Sequence, residues 1–234
     1  MNFSKMKYNW IFFDADDTIF DFKKAAHLAM ADTLAAYKIN PPSDYYEIYK
    51  GINALAWEAF EKNEITADEL RFIRFDKFLR AIGEYRDPLE MNAHYLYELS
   101  QKDLMIEGAR KVLGELLEKD FQLCLITNGL KEVQRPRIAK AALGHYFKCI
   151  VVSDEIGVAK PHEGFFEHAF AEIGHPEKNE VIVVGDSLSS DIQGGNNFGV
   201  DTCWYNPDKK ANISGHQPTY EIEQLEHIKR VIHL

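Results

Sequence analysis

The sequence predicts an α/β protein: a doubly wound, Rossmann-like parallel sheet, interrupted after its first strand by a small all-helical domain. Three observations carry that expectation. Continuously apolar short runs recur between residues 107 and 205, each followed by a helical pattern, as strands buried on both faces require. A run of the same texture, "WIFF" at residues 10–13, stands alone near the start. Between them, residues 22 to 100 hold no comparable run and are rich in Tyr, Phe, Leu and Ala.

The expected strands are 10–13, "FQLCLIT" (121–127), "KCIVVS" (148–153), "EVIVVGD" (180–186) and "VDTCWY" (200–205). Helices fill the gaps at 109–119, 130–142, 163–173 and 189–197. Pro136 falls inside the second of these, where it should kink or start the helix. In the intervening stretch the spacing predicts helices over 22–37, 44–61, 67–81 and 88–100. Their breaks carry turn and capping residues: Pro41, Pro42, Ser43, Thr66, Gly83 and Pro88. Thr66 followed by Glu69 fits a capping box. Phe72, Phe75, Leu79 and Ile82 recur at helical steps and are expected in the core of this insert. Tyr45, Tyr46 and Tyr49 are expected to pack there too, rather than to stack a ligand base. So long a stretch is not a loop. The expected division is therefore 1–20 with 104–234 for the sheet domain, and 21–103 for the helical domain.

A chain of 234 residues suits one core domain with a smaller insert. Its 27 basic and 37 acidic residues give a formal charge of −10, a surface that repels phosphate backbones and excludes nucleic-acid polymers as partners. No apolar run is long enough to span a bilayer. The start, "MNFSKMKYNW", lacks the apolar core of a signal peptide, so a cytoplasmic protein is expected, without membrane partners. Cys124, Cys149 and Cys203 lie far apart in apolar runs and read as small buried hydrophobes. His162 and His168 lack ligand spacing on one helix face.

Chemistry concentrates at the strand ends. "WIFFDADDTIF" drives an apolar strand straight into Asp14, Asp16 and Asp17. Carboxylates at such quarters repel, and their burial costs several kcal/mol unless a positive charge such as a metal ion sits among them. In an open parallel sheet, ligands bind beyond the carboxyl ends of the strands. "LCLITNG" ends there in Thr127, Asn128 and Gly129, and "VIVVGDSLSSD" in Gly185 and Asp186, with Ser187 and Asp191 following. Lys160 precedes Pro161, which favours an extended backbone for the lysine. Each piece alone has a bland reading, as an N-cap, a turn or a solvated lysine. All four at successive strand ends point to one site.

"DADDT", "TNG", "AKP" and "GDSLSSD" resemble, in order, the four motifs of the haloacid dehalogenase (HAD) superfamily, and the match covers the whole core. The interval from Thr127 to Lys160 leaves no room for a further domain, so the helical insert resembles this superfamily's type-1 cap. The resemblance implies that Asp14 is the nucleophile that forms an aspartyl-phosphate, and that Asp16 is the general acid and then base. It implies a Mg²⁺ cofactor held by Asp14, the Asp16 carbonyl and Asp186, with Asp191 orienting its waters or Lys160. Thr127 and the backbone N–H groups of Ala15, Asp16 and Asn128 would cradle the phosphoryl group, with Gly129 beside them in the substrate site and Lys160 adding positive charge. Asp17 has no role in the motif and reads as a turn residue; Gly194 and Gly195 read as sites of close helix packing.

Because Asp16 supplies a leaving-group acid, the resemblance favours phosphate-ester hydrolysis over dehalogenation. "EITADELRFIRF", "ITNGL", "GVAKP", "GGNNFGVDTCWYN" and "PTYEI" are further similar to the YjjG-type nucleotidases, cytoplasmic enzymes acting on nucleoside monophosphates. That branch implies a pyrimidine or noncanonical nucleoside 5′-monophosphate as substrate. Arg71 and Arg74, expected among polar neighbours on one cap helix, are its candidate contacts. A phosphatase for sugar phosphates or phosphoglycolate, a phosphomutase, and a non-catalytic binding protein are the alternatives, and the oligomeric state is left as monomer or homodimer.

Overall fold

The computed structural model describes residues 7–62 and 64–234. Its chain divides into two compact units. The first comprises the chain up to Asp21 together with Leu104–Lys131 and Ala141–Leu234, and the second Phe22–Asp103 with Glu132–Lys140.

The first unit is a six-stranded, wholly parallel sheet: β1 (Trp10–Asp14), β2 (Gln122–Thr127), β3 (Cys149–Val152), β4 (Val181–Gly185), β5 (Asp201–Tyr205) and β6 (Tyr220–Ile222), in the order β3-β2-β1-β4-β5-β6. The register sets Asp14 against Ile126, Thr127 against Val152 and Gly185 against Trp204, so the chemistry-bearing ends align on one edge. Successive residues of β1, Ile11, Phe12 and Phe13, are all fully buried, because both faces of the sheet are covered. One face packs Phe12, Cys124, Ile126, Val181 and Val183 against Phe165, Phe166, Phe170 and Phe198. These phenylalanines lie on α8 (Glu163–Glu172) and α9 (Gln193–Phe198). Each such side chain contributes roughly 1.5–3 kcal/mol by leaving water.

Close approach is made possible by two glycines. A Cβ at Gly194 would lie 2.5 Å from the Phe166 ring, and one at Gly195 2.5 Å from a Thr202 methyl. All three cysteines are buried free thiols. Helices α5 (Ala109–Glu118), α7 (Ser153–Ile156) and α10 (Ile228–Val231) complete this unit.

The second unit is helical: α1 (Phe22–Ala36), α2 (Tyr45–Glu61), α3 (Ala67–Ala81), α4 (Pro88–Ser100) and α6 (Lys131–Lys140). The Thr66 hydroxyl accepts from Glu69 N–H at 3.2 Å while the Glu69 carboxylate receives Thr66 N–H at 2.8 Å, which closes the capping box. Tyr49, Phe75, Phe78 and Tyr95 form the aromatic core, with Tyr49 5.4–5.6 Å from the other three rings. Two expected core residues do not belong to it: Phe72 is 43% exposed and Ile82 only half-buried, while Leu70 and Phe78 take their places.

Helix α6 also departs from the expected division, which gave it to the sheet domain. Lys140 Nζ donates to Gln101 O at 2.7 Å, Arg137 Nε donates to Lys102 O at 3.1 Å, and the buried Arg137 guanidinium lies 5.9 Å from the Phe22 ring. Polar side chains anchor α6 to the helical unit, a link that apolar periodicity does not reveal. Pro136 sits within this helix. Among the described residues no helix is long and apolar enough to cross a membrane.

Candidate active site

β1 delivers Asp14 to the sheet edge and the chain turns at once. Ile19 N–H and Phe20 N–H both donate to Ala15 O (3.0 and 2.8 Å), and Asp17 N–H donates to Phe20 O (2.7 Å). Asp17 takes a left-handed φ of 59°, which its short polar side chain tolerates in such a turn. The turn holds Ala15 buried and Asp16 partly exposed.

At the end of β2, Thr127 Oγ accepts from Gly129 N–H at 3.0 Å, so its own hydroxyl proton is directed to another acceptor. The Asn128 side chain makes two bonds to the Lys160 backbone: its amide nitrogen donates to Lys160 O and its oxygen receives Lys160 N–H, both at 2.8 Å. This clamp fixes the residue that crosses to the first strand end.

Lys160 is 1% exposed, and its ammonium has three acceptors for three donors: Asp14 Oδ1 at 2.6 Å, Asp191 Oδ1 at 2.7 Å and Ile126 O at 3.1 Å. Burial alone would depress its pKa, but the Asp14 and Asp191 carboxylates outweigh that and raise it, so the lysine stays charged. Asp14 is driven well above the usual carboxylate range, first by burial and further by the charges of Asp191 and Asp186, with Lys160 opposing. One cation among three carboxylates is too little. The Asp14, Asp186 and Asp191 oxygens lie within 4.8 Å of one another, a hard-oxygen set that suits a divalent cation such as Mg²⁺.

The fourth strand end is built by close approach. One π-helical turn, Leu188–Ile192, follows β4. It brings Asp191 back so that its Oδ2 accepts from Ser187 N–H at 3.1 Å, while Ser187 Oγ caps Ser190 N–H at 3.2 Å. Both Asp191 oxygens thus accept protein N–H groups, and this carboxylate holds Lys160. A Cβ at Gly185 would lie 2.1 Å from Asp191 Oδ2, so only glycine admits this packing. Trp204 Nε1 donates to the Asp186 carbonyl at 2.9 Å and fixes the more exposed carboxylate.

The fold therefore brings Asp14, Asp186, Asp191 and Lys160 into one cluster, and sets Thr127 and Asn128 at the end of the adjoining strand. Arg71 and Arg74 belong to the helical unit. Arg71 pairs with Glu132 at 2.9 Å and Asp68 at 3.4 Å. Arg74 does not have the polar, exposed setting expected of it: it is 3% exposed, bonded to Asn92 and Asn53, and close to the Phe75 and Tyr95 rings. It lies one turn from both Leu70 and Phe78, on the buried face. Three contributors escaped the sequence reading: the Ile126 carbonyl, the Asn128 amide clamp and Trp204. Only the Asn of "TNG" carried a signal, read as a backbone donor.

Comparison with known proteins agrees with this arrangement. The family described as haloacid dehalogenase-like hydrolase matches residues 8–199. The solved structure of the HAD-hydrolase YfnB from Bacillus subtilis, bound to magnesium, superposes with a TM-score of 0.91 and 35% identity, covering 97% of this chain and all of that one. The pyrimidine 5′-nucleotidase PynA of Streptococcus pneumoniae is 34% identical over 93% of this chain and 92% of its own. The pyrimidine 5′-nucleotidase YjjG of Escherichia coli is 30% identical over 97% of this chain and 99% of its own. With four motifs in one cluster and a family match across most of the chain, the protein belongs to the haloacid dehalogenase-like hydrolases.

Proposed function

We propose that the protein hydrolyses nucleoside 5′-monophosphates, with a pyrimidine or noncanonical base, through an aspartyl-phosphate at Asp14. The observation that carries the phosphoryl chemistry is the buried Lys160 bridging Asp14 and Asp191 beside Asp186. The substrate class rests on the relatives named pyrimidine 5′-nucleotidases. The buried free thiols suit the reducing cytoplasm.

In this reading an Asp14 carboxylate oxygen attacks phosphorus. The new O–P bond forms as the ester P–O bond breaks, and Asp16 gives its proton to the leaving nucleoside oxygen. Asp16, now ionised, takes a proton from the water that attacks the acyl phosphate. Inorganic phosphate leaves and Asp14 is restored. Lys160 offsets the charge that builds on the phosphoryl oxygens, and the Thr127 hydroxyl, held in place by the Gly129 N–H, with the N–H groups of Ala15, Asp16 and Asn128 donates to them. Asp191 positions Lys160. Mg²⁺ held by Asp14, Asp186 and the Asp16 carbonyl would supply the remaining positive charge. The helical domain, residues 21–103, is assigned the choice of leaving group, because the sheet edge supplies only generic phosphoryl chemistry.

The test is phosphate release with Mg²⁺ across phosphomonoesters. We expect kcat/KM for UMP, dUMP or dTMP to exceed that for glucose 6-phosphate or phosphoglycolate by at least about tenfold, roughly 1.4 kcal/mol. Chelator should abolish the activity. A sugar phosphate at the head of the ranking would overturn the nucleotidase reading and leave the hydrolase standing.

A further inference from the structure

Helices α3, α4 and α6 line an open-sided cavity of about 590 Å³ at the surface of the helical unit, within the range of small-ligand sites. Leu89, Leu96, Tyr97 and Pro136 supply apolar wall, and the Arg71–Glu132 ion pair lines it without net charge. One further lining residue, Asn92, is only 3% exposed. Behind it, Arg74 donates to Asn92 Oδ1 twice, from Nε at 3.1 Å and Nη2 at 2.6 Å. A guanidinium can only donate, so the amide orientation is fixed: oxygen to Arg74, NH₂ away from it. Among the described residues, no protein acceptor takes the Asn92 NH₂ protons, and no carboxylate pairs with Arg74.

The choice of Asn here runs against stability. A buried guanidinium left without an anion is costly. Aspartate has the same shape as asparagine and at position 92 would accept the same two bonds with a compensating charge. What aspartate cannot supply is the NH₂ group. Sacrificing a buried ion pair to keep a donor at a cavity wall is what a binding site requires.

We infer that this cavity binds a flat, uncharged heteroaromatic ring bearing a carbonyl acceptor, the chemistry of a pyrimidine base, with Asn92 Nδ2 as donor and the Tyr97 ring as flank. The site goes beyond the phosphoryl reaction and needs no phosphate on its ligand.

The probe is 5-fluorouridine, titrated into the full chain and followed by ¹⁹F line broadening and calorimetry. Saturable binding to the wild type is expected. Asn92→Asp should weaken it at least tenfold while leaving Tm equal or higher. Ala93→Phe, which keeps Asn92 and fills the cavity, should weaken it equally. Absence of saturable binding in the wild type, or binding within twofold of wild type in either folded variant, overturns the inference. The probe carries no phosphate. Failure here therefore leaves the hydrolase reading intact, and failure of phosphate release leaves this one intact.

Discussion

Gly185→Ala is the smallest change that should dismantle the site. The added methyl would sit 2.1 Å from Asp191 Oδ2 and 2.3 Å from its Cγ. Ordinary contact begins near 3.4 Å, so the carboxylate must retreat by about 1.3 Å, within a close-packed interior that offers no free space. A retreat of that size stretches the 2.7 Å Lys160–Asp191 bond to about 4 Å, beyond hydrogen bonding. Lys160 then keeps one carboxylate of two in a buried setting, a loss of about 3–5 kcal/mol. For a chain of this size that lowers Tm by roughly 6–20 °C. Misplacement of catalytic groups by about 1 Å costs about 100-fold in turnover. Thermal melts and Mg²⁺-supported phosphate release check both numbers. Gly114→Ala, in α5 with nothing within 4 Å of the new methyl, is the control. It should gain about 0.5–1 kcal/mol and keep full activity. Wild-type kcat in Gly185→Ala would refute the claim that Asp191 holds Lys160 in its working position.

Two further substitutions separate the roles of the other residues. Asp14→Asn keeps shape but removes the nucleophile, so kcat should fall by several orders of magnitude with the fold intact, and near-normal turnover would remove the covalent mechanism. Asn128→Ala deletes both 2.8 Å bonds to the Lys160 backbone and should lower kcat by about 10–100-fold with little change in KM. A kcat within twofold of wild type would show that the clamp is dispensable.

Most of the architecture was legible because it follows from local chemistry. The helices of the second unit fall within one residue of their expected bounds where punctuation was explicit, as with Thr66 before α3 and Pro88 at the start of α4. The strands were legible as apolar runs between helical patterns. β6 was not, because Tyr220–Ile222 is three residues long in a polar stretch and only pairing with β5 defines it. Arg74 misled because charge was weighed above position: its place one turn from Leu70 and Phe78 predicts burial. The four motifs named the residues that the fold gathers at the strand ends, yet the contacts that set their geometry lay outside the pattern. Main-chain groups such as Ile126 O have no side-chain signature, and the Asn128 clamp joins strand ends that only the tertiary fold aligns.

The sheet order has a consequence for synthesis. β1 is central, and its partners are β2 and β4, which end at Thr127 and Gly185. A ribosome therefore releases an adhesive WIFF segment long before either neighbour exists. The helices from Phe22 to Ser100 pair mainly with one another and can mature during that delay. That strand must wait, exposed, until about half of the chain has been made before β2 can pair with it, and longer still for β4, and during that wait it is open to capture by a chaperone or by another nascent copy.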